Sequence, residues 1–198
     1  MCKSVLLSAS RRQLLFAGAT LLTLAGLAPN PTRAAAPADA DAPNAITPAE
    51  ALTRLMDGNA RYVANAPSNK DYSAGRANRA EAQYPIAAIV GCADSRVAPE
   101  LAFDQGPGDI FVVRVAGNFV NEDGLASLEY GVKFLHVPLI IVLGHTHCGA
   151  VSATVENVRL NANRLSVSKP IIGRYVSEGK DNVVGGVYDL ATGKVNLL

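Results

Sequence analysis

Apolar residues in this chain fall into two patterns: short runs that are nearly solid, and longer stretches where they recur every three or four positions. The runs are Ile86–Cys92, Ile110–Val115, Leu139–Leu143 and Val183–Leu190. A short run without polar alternation predicts a strand buried on both faces. Helical spacing fills the stretches between. Thr47 is placed to cap a helix, Pro48 suits its first position, and Glu50 completes a capping box. Ala51, Leu52, Leu55, Met56, Ala60, Tyr62 and Val63 carry that helix to Ala64. Residues 66–82 are polar and read as a loop. Val97–Glu100 predicts a short helix or turn, and Asp104–Asp109 a turn. Leu125–His136 forms a helix with Leu125, Leu128, Val132 and Leu135 on one face, stopped by Val137-Pro138. Helical material follows over 149–165 and 170–178. Ala191–Lys194 reads as a hairpin turn into a last short strand, Val195–Leu198.

Strands that alternate with helices predict an α/β fold. The expected architecture is a mostly parallel central sheet of four strands, plus an antiparallel C-terminal edge strand, with helices on both faces.

The first residues have a different character. Lys3, Arg11 and Arg12 precede an apolar stretch, Leu14–Leu27, and then small residues up to Ala36. Ser10–Leu15 resembles a twin-arginine export signal. The apolar stretch falls short of the roughly 18 residues expected of a membrane span. The expected organisation is a signal over 1–36, a linker over 37–44 and one domain over 45–198. That domain would be periplasmic or secreted, with no stable membrane span after signal cleavage. Cleavage removes four of the 18 basic residues and none of the 17 acidic ones, leaving 14 against 17 and a formal charge of −3. The full chain carries only +1, so nothing points to nucleic acid.

Chemistry gathers at two strand ends. The first solid run leads into Cys92-Ala93-Asp94-Ser95-Arg96, and the third into Gly144-His145-Thr146-His147-Cys148. Sites in parallel sheets lie at the carboxyl ends of strands. Thiolate and imidazole suit Zn²⁺. Cys92, His145 and Cys148 supply three ligands, and three leave a fourth position for water, as in catalytic sites. The spacing of His145 and Cys148 predicts one turn of helix. His147 is a poorer candidate because it adjoins Cys148. Asp94, two residues after Cys92, is expected on the same side, either as a fourth ligand or as acceptor of a hydrogen bond from the water. Arg96 is placed to hold Asp94 ionised through a bidentate pair. A Cys92–Cys148 disulfide is the competing reading in an oxidising compartment.

Cys92-Ala93-Asp94-Ser95-Arg96 followed by His145-x-x-Cys148-Gly149 resembles the β-class carbonic anhydrases. Leu55–Tyr62, Phe111–Asn118 and Val184–Leu198 resemble further segments of that family. The resemblance implies zinc-dependent, reversible hydration of CO₂ to bicarbonate and a proton. It implies one zinc per chain on Cys92, His145 and Cys148, with Asp94 and Arg96 catalytic and Asp94 a possible fourth ligand in a closed state. Gln83, Phe111, Tyr130 and Gly149 match substrate-site positions of the plant-like pocket type. The other type places Trp three residues before the first Cys, where this chain has Ile89. Part of the pocket would come from a partner subunit, so a homodimer or larger even oligomer is expected. The chain departs from the family after Val151, where several helical turns are missing before Asn157. A non-catalytic zinc-binding homologue impaired by a shortened 152–168 region, or a CS₂/COS hydrolase, is the alternative.

Overall fold

The structure is a computed structural model and describes residues 42–68 and 70–198. The predicted signal lies outside the described residues, as does all but the end of the predicted linker. Asn44, assigned above to the linker, is buried and already belongs to the fold. Its side-chain amide donates to Pro85 O at 3.1 Å and Leu135 O at 2.8 Å.

The elements run α1 (Pro48–Val63), α2 (Arg76–Glu81), β1 (Ala87–Gly91), α3 (Pro99–Ala102), β2 (Ile110–Arg114), α4 (Glu122–Phe134), β3 (Leu139–His145), α5 (Thr154–Ser166), α6 (Ile172–Ser177), β4 (Asn182–Tyr188) and β5 (Val195–Leu197). The sheet order is β2-β1-β3-β4-β5. The first four strands are parallel, and β5 pairs antiparallel with β4. This is the architecture the apolar pattern predicts.

Alternation along the buried strands feeds two cores. Ala87 and Ile89 of β1, with Leu139, Ile141 and Leu143 of β3, pack against Ala51 and Leu55 of α1 and Phe103 after α3. Ala88, Val90, Ile140 and Val142 face the other way. They meet Leu128 and Val132 of α4, Val158 and Leu165 of α5, and Ile172 of α6. Both faces are therefore covered, which is why the strands are apolar at nearly every position. The chain steps from β1 outward to β2 over one face, then back across to β3 over the other. The reversal leaves a crevice at the carboxyl ends of β1 and β3, where such sheets hold ligands.

Several boundaries differ from expectation. The polar stretch 66–82 contains α2, which buries no residue and so leaves no apolar stripe to read. Helix α4 begins before Leu125 because the Asn121 side chain caps the Gly124 N–H. It ends before His136, which adopts a left-handed φ of 54°. Strand β3 continues past Leu143 to His145 and stays buried throughout. Helix α5 begins at Thr154, not Gly149.

The 152–168 region closes into a packed helix. Val158 and Leu165 are fully buried. Gly144 of β3 makes room for that packing, since a Cβ there would stand 2.6 Å from Val158 Cγ2 and 2.7 Å from Thr154 Cγ2. Among the described residues, no helix is long and apolar enough to cross a membrane.

Candidate metal centre

Cys92 follows the last residue of β1, and His145 is the last residue of β3. β1 and β3 are adjacent in parallel register, with Gly91 opposite Leu143. Cys148 reaches the same place by a route that differs from the expected helical turn. His147 takes a left-handed φ of 53°, and the resulting tight turn carries Cys148 back beside His145. One donor atom each from Cys92, His145 and Cys148 lie within 4.8 Å of one another. Donors about 3.5 to 3.8 Å apart would suit a tetrahedral ion with ordinary Zn–S and Zn–N bond lengths. His147 is exposed and lies outside this set, and so does Asp94. Both cysteines are free thiols.

The donor set fits a metal on a second observation. His145 is wholly buried, and its Nε2 has no hydrogen-bond partner. Its Nδ1 lies 2.9 Å from Thr146 O. With the Nδ1 proton donated to that carbonyl, the Nε2 lone pair remains for a ligand bond. A buried imidazole nitrogen left unpaired otherwise costs the full desolvation of that atom.

Cys92 is held from the loop after β2. The Gly117 N–H donates to Cys92 Sγ at 3.2 Å, and the Asp94 N–H does so at 3.4 Å. Burial alone would push the Cys92 thiol up. The two backbone donors, with His145 and Cys148 beside the sulfur, outweigh burial and bring it below the ordinary thiol value. Gly117 has a φ of 80°, the region that glycine enters without steric cost. Its carbonyl accepts from Asn157 Nδ2 at 2.9 Å. Helix α5 thus reaches the site through Asn157, and a second buried amide, Asn161, donates to Asn157 O and accepts from the Val120 N–H. The sequence marks these supports only by a glycine, Gly117, just after the second apolar run.

Contrary to the expectation of a continuing strand, Asp94 sits in a turn in which the Val97 N–H donates to Asp94 O. Its Oδ2 is 3.7 Å from His145 Nε2. Arg96 donates to Oδ1 through its backbone N–H (2.9 Å) and Nε (2.9 Å), and to Oδ2 through Nη2 (2.6 Å). The Arg96 side chain first, then its backbone N–H, hold the Asp94 carboxyl well below the usual carboxylate range.

Three of the remaining expected site residues, Gln83, Phe111 and Tyr130, do not join this cluster within one chain. Phe111 is paired with Ala88, three residues back from Gly91, so it sits roughly 10 Å from the carboxyl edge of the sheet. Tyr130 is exposed on α4, its ring 5.5 Å from that of Phe134. Gln83 precedes β1 and lines a groove with Arg79, Pro107 and Gly108 at the amino end of the sheet. Gly149 does adjoin the cluster, and a Cβ there would meet nothing within 4 Å.

The sequence profile of the family described as carbonic anhydrase matches residues 87–161. A carbonic anhydrase of Pseudomonas aeruginosa is 30% identical over 192 residues, spanning 73% of this chain and 86% of that one. The chain belongs to the β-carbonic anhydrase family. Similarity is higher over a shorter stretch to a carbonic anhydrase of Mycolicibacterium smegmatis, 52% identical over 110 residues, covering 55% of this chain and 53% of the relative. The chain therefore spans about half the length of its mycobacterial relatives. Among solved structures, the Coccomyxa β-carbonic anhydrase in complex with acetazolamide superposes with a TM-score of 0.56 at 27% identity, covering 74% of this chain and 86% of that one. The family's profile contains β1, β2, β3 and most of α5, and so includes every member of the Cys-His-Cys cluster.

Proposed function

We propose that this protein catalyses the reversible hydration of CO₂ to bicarbonate and a proton, with one zinc per chain held by Cys92, His145 and Cys148. The observation that carries the reading is the buried, unpaired His145 Nε2 facing two thiols at the end of β1 and β3. Zinc bound to such a set acts as a Lewis acid that brings the pKa of water down toward neutrality. Two thiolates donate more charge than imidazoles, so the pKa should lie above that of an all-histidine site.

The chain's own residues do the rest. Arg96 keeps Asp94 ionised, so Asp94 is an acceptor at neutral pH and not a proton donor. Asp94 Oδ2 lies beside the cluster and accepts the proton of the attacking water as a hydrogen bond, which fixes the oxygen lone pair toward CO₂. The Arg96 fork occupies both carboxylate oxygens, which favours the open arrangement with Asp94 off the metal. Open space in front of Gly149 admits a small apolar molecule. Gln83, Phe111 and Tyr130 complete the pocket, some of them from a second copy of the chain, so the working unit is a homodimer or a larger even oligomer. Residues 1–36 act as a twin-arginine-type export signal, placing the mature protein in the periplasm or outside the cell.

Stopped-flow mixing of CO₂-saturated water with the zinc-loaded protein and a pH indicator tests the reading. Acidification far faster than buffer is expected. A rate equal to buffer, or turnover of CS₂ or COS in its place, overturns it.

A further inference from the structure

One side chain outside the cluster touches the whole loop that carries it. Arg114 is the last residue of β2, in register with Gly91, the last residue of β1. Its guanidinium turns back across the end of β1. Nε donates to Cys92 O at 2.9 Å, and Nη2 donates to Asp94 O at 2.8 Å and to Val97 O at 2.7 Å. These three carbonyls belong to the metal-ligand candidate, to the carboxylate that orients water, and to the residue that anchors the loop in the core. Val97 is 1% exposed.

The other restraints on the loop's backbone act on its N–H groups. The Ala93 N–H donates to Val115 O at 3.3 Å, and the Val97 N–H to Asp94 O at 3.1 Å. The Asp94 N–H donates to Cys92 Sγ at 3.4 Å, and the Arg96 N–H to Asp94 Oδ1 at 2.9 Å. Among the described residues, the Cys92 and Val97 carbonyls accept no other hydrogen bond. Without Arg114, those carbonyls turn to water and the Cys92–Val97 backbone loses the restraint on its carbonyl side. Rotation about Asp94 moves its N–H away from Cys92 Sγ and its carboxylate away from His145. The chemistry asks for arginine. A planar guanidinium spreads fixed donors over several acceptors, whereas an ammonium offers its three from a single atom.

We infer that Arg114 is a positioning residue: by gathering the Cys92, Asp94 and Val97 carbonyls it sets the angle between the Cys92 thiolate and the Asp94 carboxylate. It touches neither metal nor substrate, and acts through the loop. The inference rests on the zinc reading of the site given above.

The test compares wild type, Arg114→Lys and Arg114→Ala in full-length protein. Three quantities are read: zinc affinity by chelator competition, the thiolate-to-metal charge-transfer bands of the cobalt-substituted protein, and kcat and KM for CO₂ hydration. Both variants are expected to bind zinc about 10- to 100-fold more weakly, the usual effect of losing an outer-shell partner. The charge-transfer bands shift, and kcat falls while KM changes little. Arg61→Ala is the stability control. It removes a 2.6 Å ion pair to buried Asp104, and should lower the melting temperature without moving metal affinity or the bands. Where Arg114→Ala does not fold, Arg114→Lys decides. Wild-type affinity and wild-type bands in folded Arg114→Lys overturn the inference, even if its melting temperature drops. Failure of the wild type to bind zinc would instead overturn the reading of the site.

Discussion

Arg96 grips Asp94 by both carboxylate oxygens, at 2.9 Å to Oδ1 and 2.6 Å to Oδ2, while Oδ2 stays 3.7 Å from His145 Nε2. The carboxylate is thus tied to one side and presented to the cluster on the other. Asp94→Asn keeps the shape and loses the charged acceptor. It should lower kcat by about 10²- to 10⁴-fold, the range for a positioned acid–base group, while zinc content stays at one per chain. Stopped-flow rates with metal analysis check both halves.

The same pair keeps Asp94 charged into acid. Asp94 has a folded-state pKa below its ordinary value, so its charge survives mild acid and is lost only as pH falls through the depressed value. Arg96→Gln removes the first cause of that depression. The Asp94 carboxyl, followed by carboxyl 13C NMR across the acid range, should then titrate closer to pH about 4, the ordinary range for a carboxylate. A titration unmoved in the variant would show that Arg96 does not govern Asp94.

A second acid behaves in the opposite sense. Asp181, just before β4, is 3% exposed. Its Oδ1 accepts the Asn182 N–H, and its Oδ2 has no partner. Burial pushes its carboxyl up to about 7. The folded state therefore holds a proton that the unfolded chain has released, and stability falls as pH rises from about 4 to about 7, by an upper bound of roughly 4 kcal/mol. Asp181→Asn should flatten that slope and raise the melting temperature more at pH 8 than at pH 5. Parallel slopes in the two proteins would contradict it.

Packing beside the cluster can be tested separately. A methyl at Gly144 would overlap Val158 and Thr154 of α5. Gly144→Ala should cost about 1 to 3 kcal/mol by overpacking and weaken metal binding, because Gly144 precedes His145. Urea denaturation and chelator competition read the two effects.

Tyr130 sits exposed, its ring 5.5 Å from that of Phe134 and tilted 38° to it, and does not join the cluster of its own chain. If a second copy uses it, light scattering should give an even oligomer, and Tyr130→Asp should break that oligomer and abolish turnover together. A monomer with full activity would refute the shared pocket.

The sheet was readable because both of its faces are covered, so Ile86–Cys92 and Leu139–Leu143 show no polar alternation. The ligand set was readable because thiol and imidazole are rare and fall at the ends of those runs. Other features were not. Helix α2 buries nothing, and so has no period to detect. The turn that brings Cys148 to His145 depends on a left-handed His147, which residue spacing cannot distinguish from a helical turn. Arg114 and Gly117 act through backbone carbonyls and a backbone N–H, and those contacts leave no pattern in side-chain chemistry.

The central claim is that Cys92, His145 and Cys148 hold one zinc and that the chain uses it to hydrate CO₂. The most direct measurement is the CO₂ hydration rate per bound zinc. The prediction is turnover far above buffer at one zinc per chain, lost with the metal when Cys148 or His145 is replaced by Ala. One tightly bound zinc per chain with a rate no faster than buffer would contradict it.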